Sequence, residues 1–238
     1  MLVLALDTCD ARGSIAILRD GMLLASLCHD GPQDYSSWLL PATDRTLGVA
    51  HVRLPDVDLF AVAAGPGSFT ALRVGMTTVK AWAEVYGRLV VPVSRLEALA
   101  EQIQQPGELV AAFVDARRDQ LYAGLFQRGA AGFTLLGEES VIAPEDFLAN
   151  GASQASRKSV TWISLDPPAL TRIPAWAERA ALGESVVVAD PLVAPAIARL
   201  AMRKAAEGLA VDALALDANY IRRCDAELFI KGKSFHAK

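Results

Sequence analysis

The sequence predicts an α/β protein of two lobes, each running βββαβαβα, with a cleft between them. Three observations carry this. The apolar segments fall in that order in residues 1–105, and after the break at Gln105-Pro106-Gly107 the same order begins again in residues 106–238. The first strand of each half ends in an aspartate, in Ala5-Leu6-Asp7-Thr8 and again in Phe113-Val114-Asp115-Ala116. At 238 residues and 53% hydrophobic, the chain can bury one large core or two small ones, because domains commonly run about 100–150 residues.

Each element has a local reason. LVLALD (2–7), GSIAILR (13–19) and MLLASLC (22–28) have the length and apolar content of strands, the last two joined by the tight turn Asp20-Gly21. A helix is expected from about Ser36 to Ala50, capped by Ser36 or Ser37, with Pro41 in its first turn or bending it. DLFAVAA (58–64) is a buried strand, and Phe69 to Tyr86 a long helix ended by Gly87. RLVVPV follows as a strand, then a helix from Ser94 to Gln104 capped by Ser94.

In the second half ELVAAFVDA (108–116), QLYAGLF (120–126) and FTLLGEESV (133–141) read as three strands. Pro144 opens a short helix, since proline is tolerated in a first turn. VTWISL, Ala169 to Leu182, SVVVAD and Ala194 to Leu209 then supply strand, helix, strand and helix.

Composition removes several function classes. The net charge is −4, from 23 basic and 27 acidic residues, and no run of like charges marks a nucleic-acid-binding arm. The amino terminus has no basic region before its apolar run, which argues for a strand rather than a signal peptide, and no apolar run approaches the roughly 18 residues that span a bilayer. A soluble, cytoplasmic chain is expected. Cys9, Cys28 and Cys224 are widely spaced and odd in number, fitting buried thiols rather than a disulfide framework or zinc site. His29, His51 and His236 never fall at the i, i+4 spacing of a metal-binding helix face. No metal is assigned.

The stretch AAGPGSFTALRVG (63–75) lies between strand and helix, where glycine-rich loops often cradle phosphate. Its spacing matches neither Gly-x-Gly-x-x-Gly nor the Walker pattern. Pro66 stiffens the turn, Ser68 is placed to cap the helix, and the glycines allow a tight turn beside the cleft. In the helix that follows, Thr70, Arg73, Thr77, Lys80 and Glu84 form one narrow polar stripe. Leu72, Met76, Val79, Ala83 and Tyr86 make one further face, and Ala71, Gly75, Thr78 and Trp82 an adjacent one. A helix on a sheet needs only about a 100° apolar arc, so the surplus is covered by Trp38, Leu39 and Leu47 of the first helix or by a second protein.

Two such lobes, each opening on a strand that ends in aspartate, resemble the actin, sugar-kinase and Hsp70-like (ASKHA, ribonuclease H-like) superfamily. That resemblance implies two carboxylates at a cleft floor holding hydrated Mg²⁺, with glycine-bearing turns around the phosphates of ATP. The turns here are poor in glycine: Asp7-Thr8-Cys9-Asp10-Ala11-Arg12-Gly13 has one and Asp115-Ala116-Arg117-Arg118-Asp119-Gln120 none. The implied nucleotide residues, Asp7, Thr8, Gly65, Gly67, Ser68 and Asp115, are therefore expected to form a vestigial or weak cleft.

The segments LALDTCDARGSIAIL, GPGSFTALRVGMTTVKAWA, VPVSRLEALA, VDARRDQLYAGLF and ANYIRRCDAEL are similar to the TsaB (YeaZ) family, which covers most of the chain. The resemblance implies a scaffold without a catalytic site of its own. Such a chain pairs with a TsaD-type subunit, recruits a TsaE-type ATPase, meets tRNA only through the complex, and needs no cofactor itself while the assembly uses ATP and Mg²⁺. It also implies a four-helix interface drawing on Trp38, Leu39, Ala71, Leu72, Gly75, Met76, Thr78 and Val79. A homodimer in the absence of that partner is left open. Two positions depart from the family pattern: Tyr35-Ser36-Ser37 stands for His-Ser-Glu, and Ala71 for glycine, a change that raises helix propensity by up to ~1 kcal/mol.

The alternative is an active phosphotransferase of the same superfamily using Asp7 and Asp115 around Mg-ATP. A peptidase needs a metal pair or a nucleophile elbow, and neither His-x-x-x-His nor Gly-x-Ser-x-Gly occurs. Arg117 and Arg118 could meet an anion or simply be solvated. Arg222, Arg223 and the lysine-bearing tail 230–238 offer at most a modest, salt-sensitive contact to tRNA.

Overall fold

A computed structural model describes residues 1–29, 31, 33–103, 109–130, 132–154, 160–219 and 221, with the backbone alone at 152–154. The break at 105–107, Cys224, Arg222, Arg223 and the tail lie outside the described residues.

Strands β1 (Leu2–Asp7), β2 (Ser14–Arg19), β3 (Met22–Cys28), β4 (Leu59–Gly65) and β5 (Leu89–Ser94) form one sheet in the order β3-β2-β1-β4-β5. Strands β6 (Leu109–Arg117), β7 (Gln120–Gly129), β8 (Gly132–Leu135), β10 (Val160–Ser164) and β11 (Val186–Val188) form the second, in the order β11-β10-β6-β7-β8. Reversed, that is the same topology: an antiparallel meander of three strands followed by two parallel ones. The repeat that the element order predicts is therefore present in space. A short extra strand, β9 (Ser140–Ile142), pairs with β7.

The helices sort into three layers because each strand divides its side chains between two faces. Leu2, Leu4 and Leu6 of β1 pack towards α1 (Tyr35–Ala50) and α2 (Phe69–Tyr86), in one cluster with Leu39, Leu47, Met76 and Val79. Val3 and Ala5 face the opposite way, into a core shared by both sheets that includes α3 (Arg95–Ala100) and α7 (Ala194–Ala206). On the far side of the second sheet, Ala111 and Phe113 meet Trp162 and the helices α4 (Pro144–Gln154), α5 (Pro168–Thr171) and α6 (Trp176–Ala181). Apolar residues on both faces explain why these strands read as near-continuous hydrophobic runs.

The lobes share the middle layer. Ala5, Ala16, Ala61 and Ala63 of the first sheet and Ala194, Ala196, Ala198 and Ala201 of α7 belong to one buried cluster, and such small residues permit close helix–sheet approach. Ser14, on β2, accepts the Ala194 amide at 2.9 Å, so a residue of the first sheet satisfies an orphan donor at the start of a helix from the other half.

Several local expectations are corrected. The α1 cap is Asp34, one residue before the helix, whose carboxylate accepts the Ser37 amide as well as the Ser36 and Ser37 hydroxyls; those bonds hold its pKa below the usual range. Of the two places allowed for Pro41, it takes the interior of α1 rather than the first turn. Residues 133–141 are two strands, because the chain turns at Gly137 (φ +79°). Residues 169–182 are two short helices separated by Pro174, whose missing N–H cannot continue a helix. Ser94 and Gly87 cap as expected, Ser94 accepting the Glu97 amide and Gly87 taking the left-handed conformation. Cys9 is buried, whereas Cys28 is only half-buried. Among the described residues no helix is long and apolar enough to cross a membrane.

Candidate functional site

A cleft of about 450 Å³ opens between the β1–β2 turn, the start of α2 and the β6–β7 hairpin. Gly67, Ser68 and Asp115 line it, whereas Asp7, Thr8 and Gly65 do not. Asp7 is 0% exposed at the end of β1. Its Oδ1 accepts the Cys9 amide at 2.9 Å and its Oδ2 accepts Arg95 Nε at 3.0 Å. Arg95, the first residue of α3, is itself only 1% exposed.

The pair is one end of a charge chain. Arg95 Nη1 donates to Asp10 Oδ2 at 2.8 Å, Arg12 Nη2 reaches the same Asp10 oxygen at 3.2 Å, and Arg12 Nη2 also donates to Asp166 Oδ1 at 2.8 Å. Arg12 Nη1 adds a bond to the Leu165 carbonyl at 2.8 Å. Asp7, Arg95, Asp10, Arg12 and Asp166 thus alternate in sign from the first sheet to the end of β10 in the second. Desolvation opposes the charged form of Arg95, but Asp7 and Asp10 outweigh it and raise its pKa further. Burial pushes Asp10 up, and the Arg95 charge, with the bonds from Arg95 and Arg12, brings it below the usual carboxylate range. Burial and the neighbouring Asp7 raise the Cys9 thiol, which keeps it protonated.

The residues do not fit a Mg²⁺-nucleotide. The cation beside Asp7 is a guanidinium, and both carboxylate oxygens are already engaged. Asp115 turns its oxygens onto its own hairpin, accepting the Arg117 amide at 2.7 Å and Arg117 Nη1 at 3.3 Å. Among the described residues no group of three or more His, Cys, Asp or Glu side chains is arranged to hold a metal ion. The hairpin does keep a left-handed backbone: Arg117, Arg118 and Asp119 have φ of 63°, 55° and 53°. Such angles favour glycine, and other L-residues are strained there. Arg118→Gly is accordingly expected to stabilise the chain by up to about 1 kcal/mol, measured by urea unfolding.

The glycine-rich loop is bound to the β1–β2 turn rather than open to an anion. Ser68 donates its amide to the Cys9 carbonyl at 2.6 Å, and a Cβ on Gly67 would be driven into that same carbonyl. The Ser68 side chain makes no capping bond, contrary to expectation. A Cβ on Gly75 would meet the Thr8 hydroxyl, which is buried without a partner among the described residues.

These contacts also revise the partner face of α2. Leu72, Gly75, Met76 and Val79 are buried, as is Leu39 of α1. Leu39, Met76 and Val79 pack in the first lobe and Leu72 in the core shared by the two sheets, so little of them reaches the surface of the chain. Trp38, Ala71 and Thr78 are half-buried. Trp38 packs against His29 (4.8 Å between ring centres) and Tyr35 (5.8 Å), and Tyr35 donates its hydroxyl to the Asp10 carbonyl at 2.5 Å. What α1 and α2 leave outside is Leu40, Val49, Phe69 and Val85, the last 73% exposed. Phe69, Arg73, Val74 and Thr77 line a shallow depression at the start of α2, with the Arg73 guanidinium 3.9 Å from the centre of the Phe69 ring.

Sequence reasoning missed Arg95 and Arg12. The available signal was an arginine heading the apolar helix RLEALA: a charge in a buried element requires a counter-charge. Nothing local identified Asp7 as that partner, since the two lie 88 positions apart.

Residues 31–216 match the family model described as TsaD, tRNA N6-adenosine threonylcarbamoyltransferase. The chain is similar to the tRNA threonylcarbamoyladenosine biosynthesis protein TsaB of Bacillus subtilis, with 34% identity over 127 residues, and to that of Escherichia coli, with 31% over 150. These alignments cover 53% and 61% of this chain, and span only 56% and 64% of the relatives' own length. Among solved structures, YeaZ from Pseudomonas aeruginosa superimposes with a TM-score of 0.71 at 29% identity, covering 92% of this chain and 99% of that one. A second structure, described as an uncharacterized protein with similarity to peptidase YeaZ from Pseudomonas aeruginosa, gives 0.73 at 30% identity over 93% and 99%.

Proposed function

Because the chain belongs to the TsaD family, in its TsaB/YeaZ branch, we propose that it is a non-catalytic scaffold in threonylcarbamoylation of tRNA. The modified atom is N6 of the adenosine next to the anticodon in tRNAs that read codons beginning with A. In this reading the chain pairs with a TsaD-type catalytic subunit through the outer face of α1 and α2, and the pair recruits a TsaE-type ATPase. tRNA meets the chain only within the complex, and ATP and Mg²⁺ are used by the assembly rather than by this chain's own cleft.

The observation that supports the reading is the set of apolar side chains that α1 and α2 leave exposed. Leu40, Val49, Phe69 and Val85 stand out of two helices whose remaining apolar residues are packed inside the lobe. Phe69 borders the depression it shares with Arg73, Val74 and Thr77 on α2, and an exposed apolar side chain beside such a depression marks an association site. The charge chain at Asp7 argues in the same direction, since a phosphotransferase needs that carboxylate for its metal.

The test is co-expression with the TsaD-type protein of the same organism. Phe69→Asp and Val85→Arg are expected to leave the Tm of the isolated chain within about 2 °C, surface changes being worth at most ~0.5 kcal/mol. The same variants are expected to abolish co-purification and to lower tRNA modification by the reconstituted complex at least about tenfold, a loss of ~1.4 kcal/mol in the association. Normal co-purification by both variants rules the surface out.

A further inference from the structure

The alternating charges at the base of the cleft go beyond the scaffold reading and do not depend on it. In a cleft that binds a metal–nucleotide, a strand-end carboxylate keeps its oxygens for a hydrated divalent cation. Here the corresponding carboxylate, Asp7, is 0% exposed, takes an amide on one oxygen and a guanidinium on the other, and faces an arginine 1% exposed. Arg95 is not held by Asp7 alone, because Nη1 is bonded to Asp10 at 2.8 Å. Asp10 is the acid that follows Asp7 in the same turn, so two carboxylates converge on this one cation.

We infer that Arg95 is a built-in counter-ion that takes the place of the divalent cation at the strand-end carboxylate, so that the fold around Asp7 is complete without metal. The physical basis is that a guanidinium carries its charge at every relevant pH and presents its donors in a fixed plane. It is covalently part of the chain, so its occupancy does not depend on metal concentration. Two further features fit. Arg95 heads α3, which lies in the core shared by the two sheets, so the pair ties that helix to the end of β1. Arg95 Nη2 is buried with no hydrogen-bond partner among the described residues, a cost that persists only if the rest of the guanidinium is strongly held.

The experiment uses the purified full chain and reads thermal unfolding against MgCl₂, with NaCl of equal ionic strength as reference, with and without ATP. The Tm of the unmodified chain is expected to be the same in both salts. Arg95→Ala is expected to lower Tm by roughly 10 °C, because it leaves a buried carboxylate unpaired. The variant is then expected to gain a saturable rise in Tm from Mg²⁺ that the unmodified chain lacks, and to recover part of its loss in millimolar methylguanidinium.

Saturable Mg²⁺ stabilisation of the unmodified chain overturns the inference. So does an Arg95→Ala chain that is as stable as the original, or one that responds to neither cation. If Arg95→Ala does not fold, the double variant Asp7→Asn with Arg95→Met decides. It removes both charges and is expected to restore a cooperative transition, since an apolar replacement of a whole buried pair is tolerated where a half-pair is not. A double variant that also fails to fold overturns the assignment.

Discussion

Asp7→Ala is expected to destabilise the chain by about 3–5 kcal/mol, the usual cost of stranding one member of a buried ion pair. At this chain length that corresponds to a fall of roughly 6–20 °C in Tm. The loss has two parts. Arg95 keeps its charge at 1% exposure with, among the described residues, Asp10 alone to balance it, and the Cys9 amide loses its acceptor inside the β1–β2 turn. Since that turn also holds Ser68 through the Cys9 carbonyl, hydrogen exchange is expected to rise at the start of α2 as well as in the turn. Asp115→Ala supplies the contrast: Asp115 accepts from a highly exposed arginine and from its own hairpin amide, and its removal is expected to cost no more than about 1 kcal/mol. Calorimetry of the two variants side by side checks the difference, and equal losses would show that the cleft carboxylates are equivalent after all.

The second large effect separates the buried from the exposed positions of α2. Met76→Asp is expected to cost more than about 4 kcal/mol, because Met76 is 6% exposed and packed with Leu4, Phe60 and Val79, where an unpaired carboxylate has no counter-charge. Gly75→Arg is expected to be equally damaging, since even a methyl group there meets Thr8. Both variants are therefore expected to abolish partner binding by unfolding the first lobe. Val85→Arg and Phe69→Asp, at exposed positions near the two ends of α2, are expected to act on binding alone. Circular dichroism of the isolated variants distinguishes the cases: a folded Met76→Asp chain that has lost its partner would return the interface to the inner face.

How much of this was legible depends on the range of each signal. The strands of residues 2–7, 14–19 and 22–28 and the helix Phe69–Tyr86 stand where pattern places them, because alternation, turn residues and the Gly87 cap act within a few positions. The 133–141 and 169–182 segments each divide in two, at Gly137 and Pro174, both visible in the sequence. For α2 the pattern showed a polar stripe and two further faces. It could not say which of them the first lobe itself would cover, since that depends on the crossing of α1 and on Thr8 lying against Gly75.

By itself, the sequence determined the α/β class, the repeated order of elements, the aspartate ending each lobe's first strand and the poverty of glycine in the cleft turns. These follow from periods of two and 3.6 residues and from turn chemistry, all of which act locally. Only the tertiary structure decided that Asp7 is neutralised by Arg95, that Arg12 carries the charge chain on to Asp166, and that Ser14 caps a helix of the other half. Those contacts join residues 88, 154 and 180 positions apart. An arginine announces that it needs a counter-charge, but which carboxylate supplies it is fixed only when packing removes water from around both.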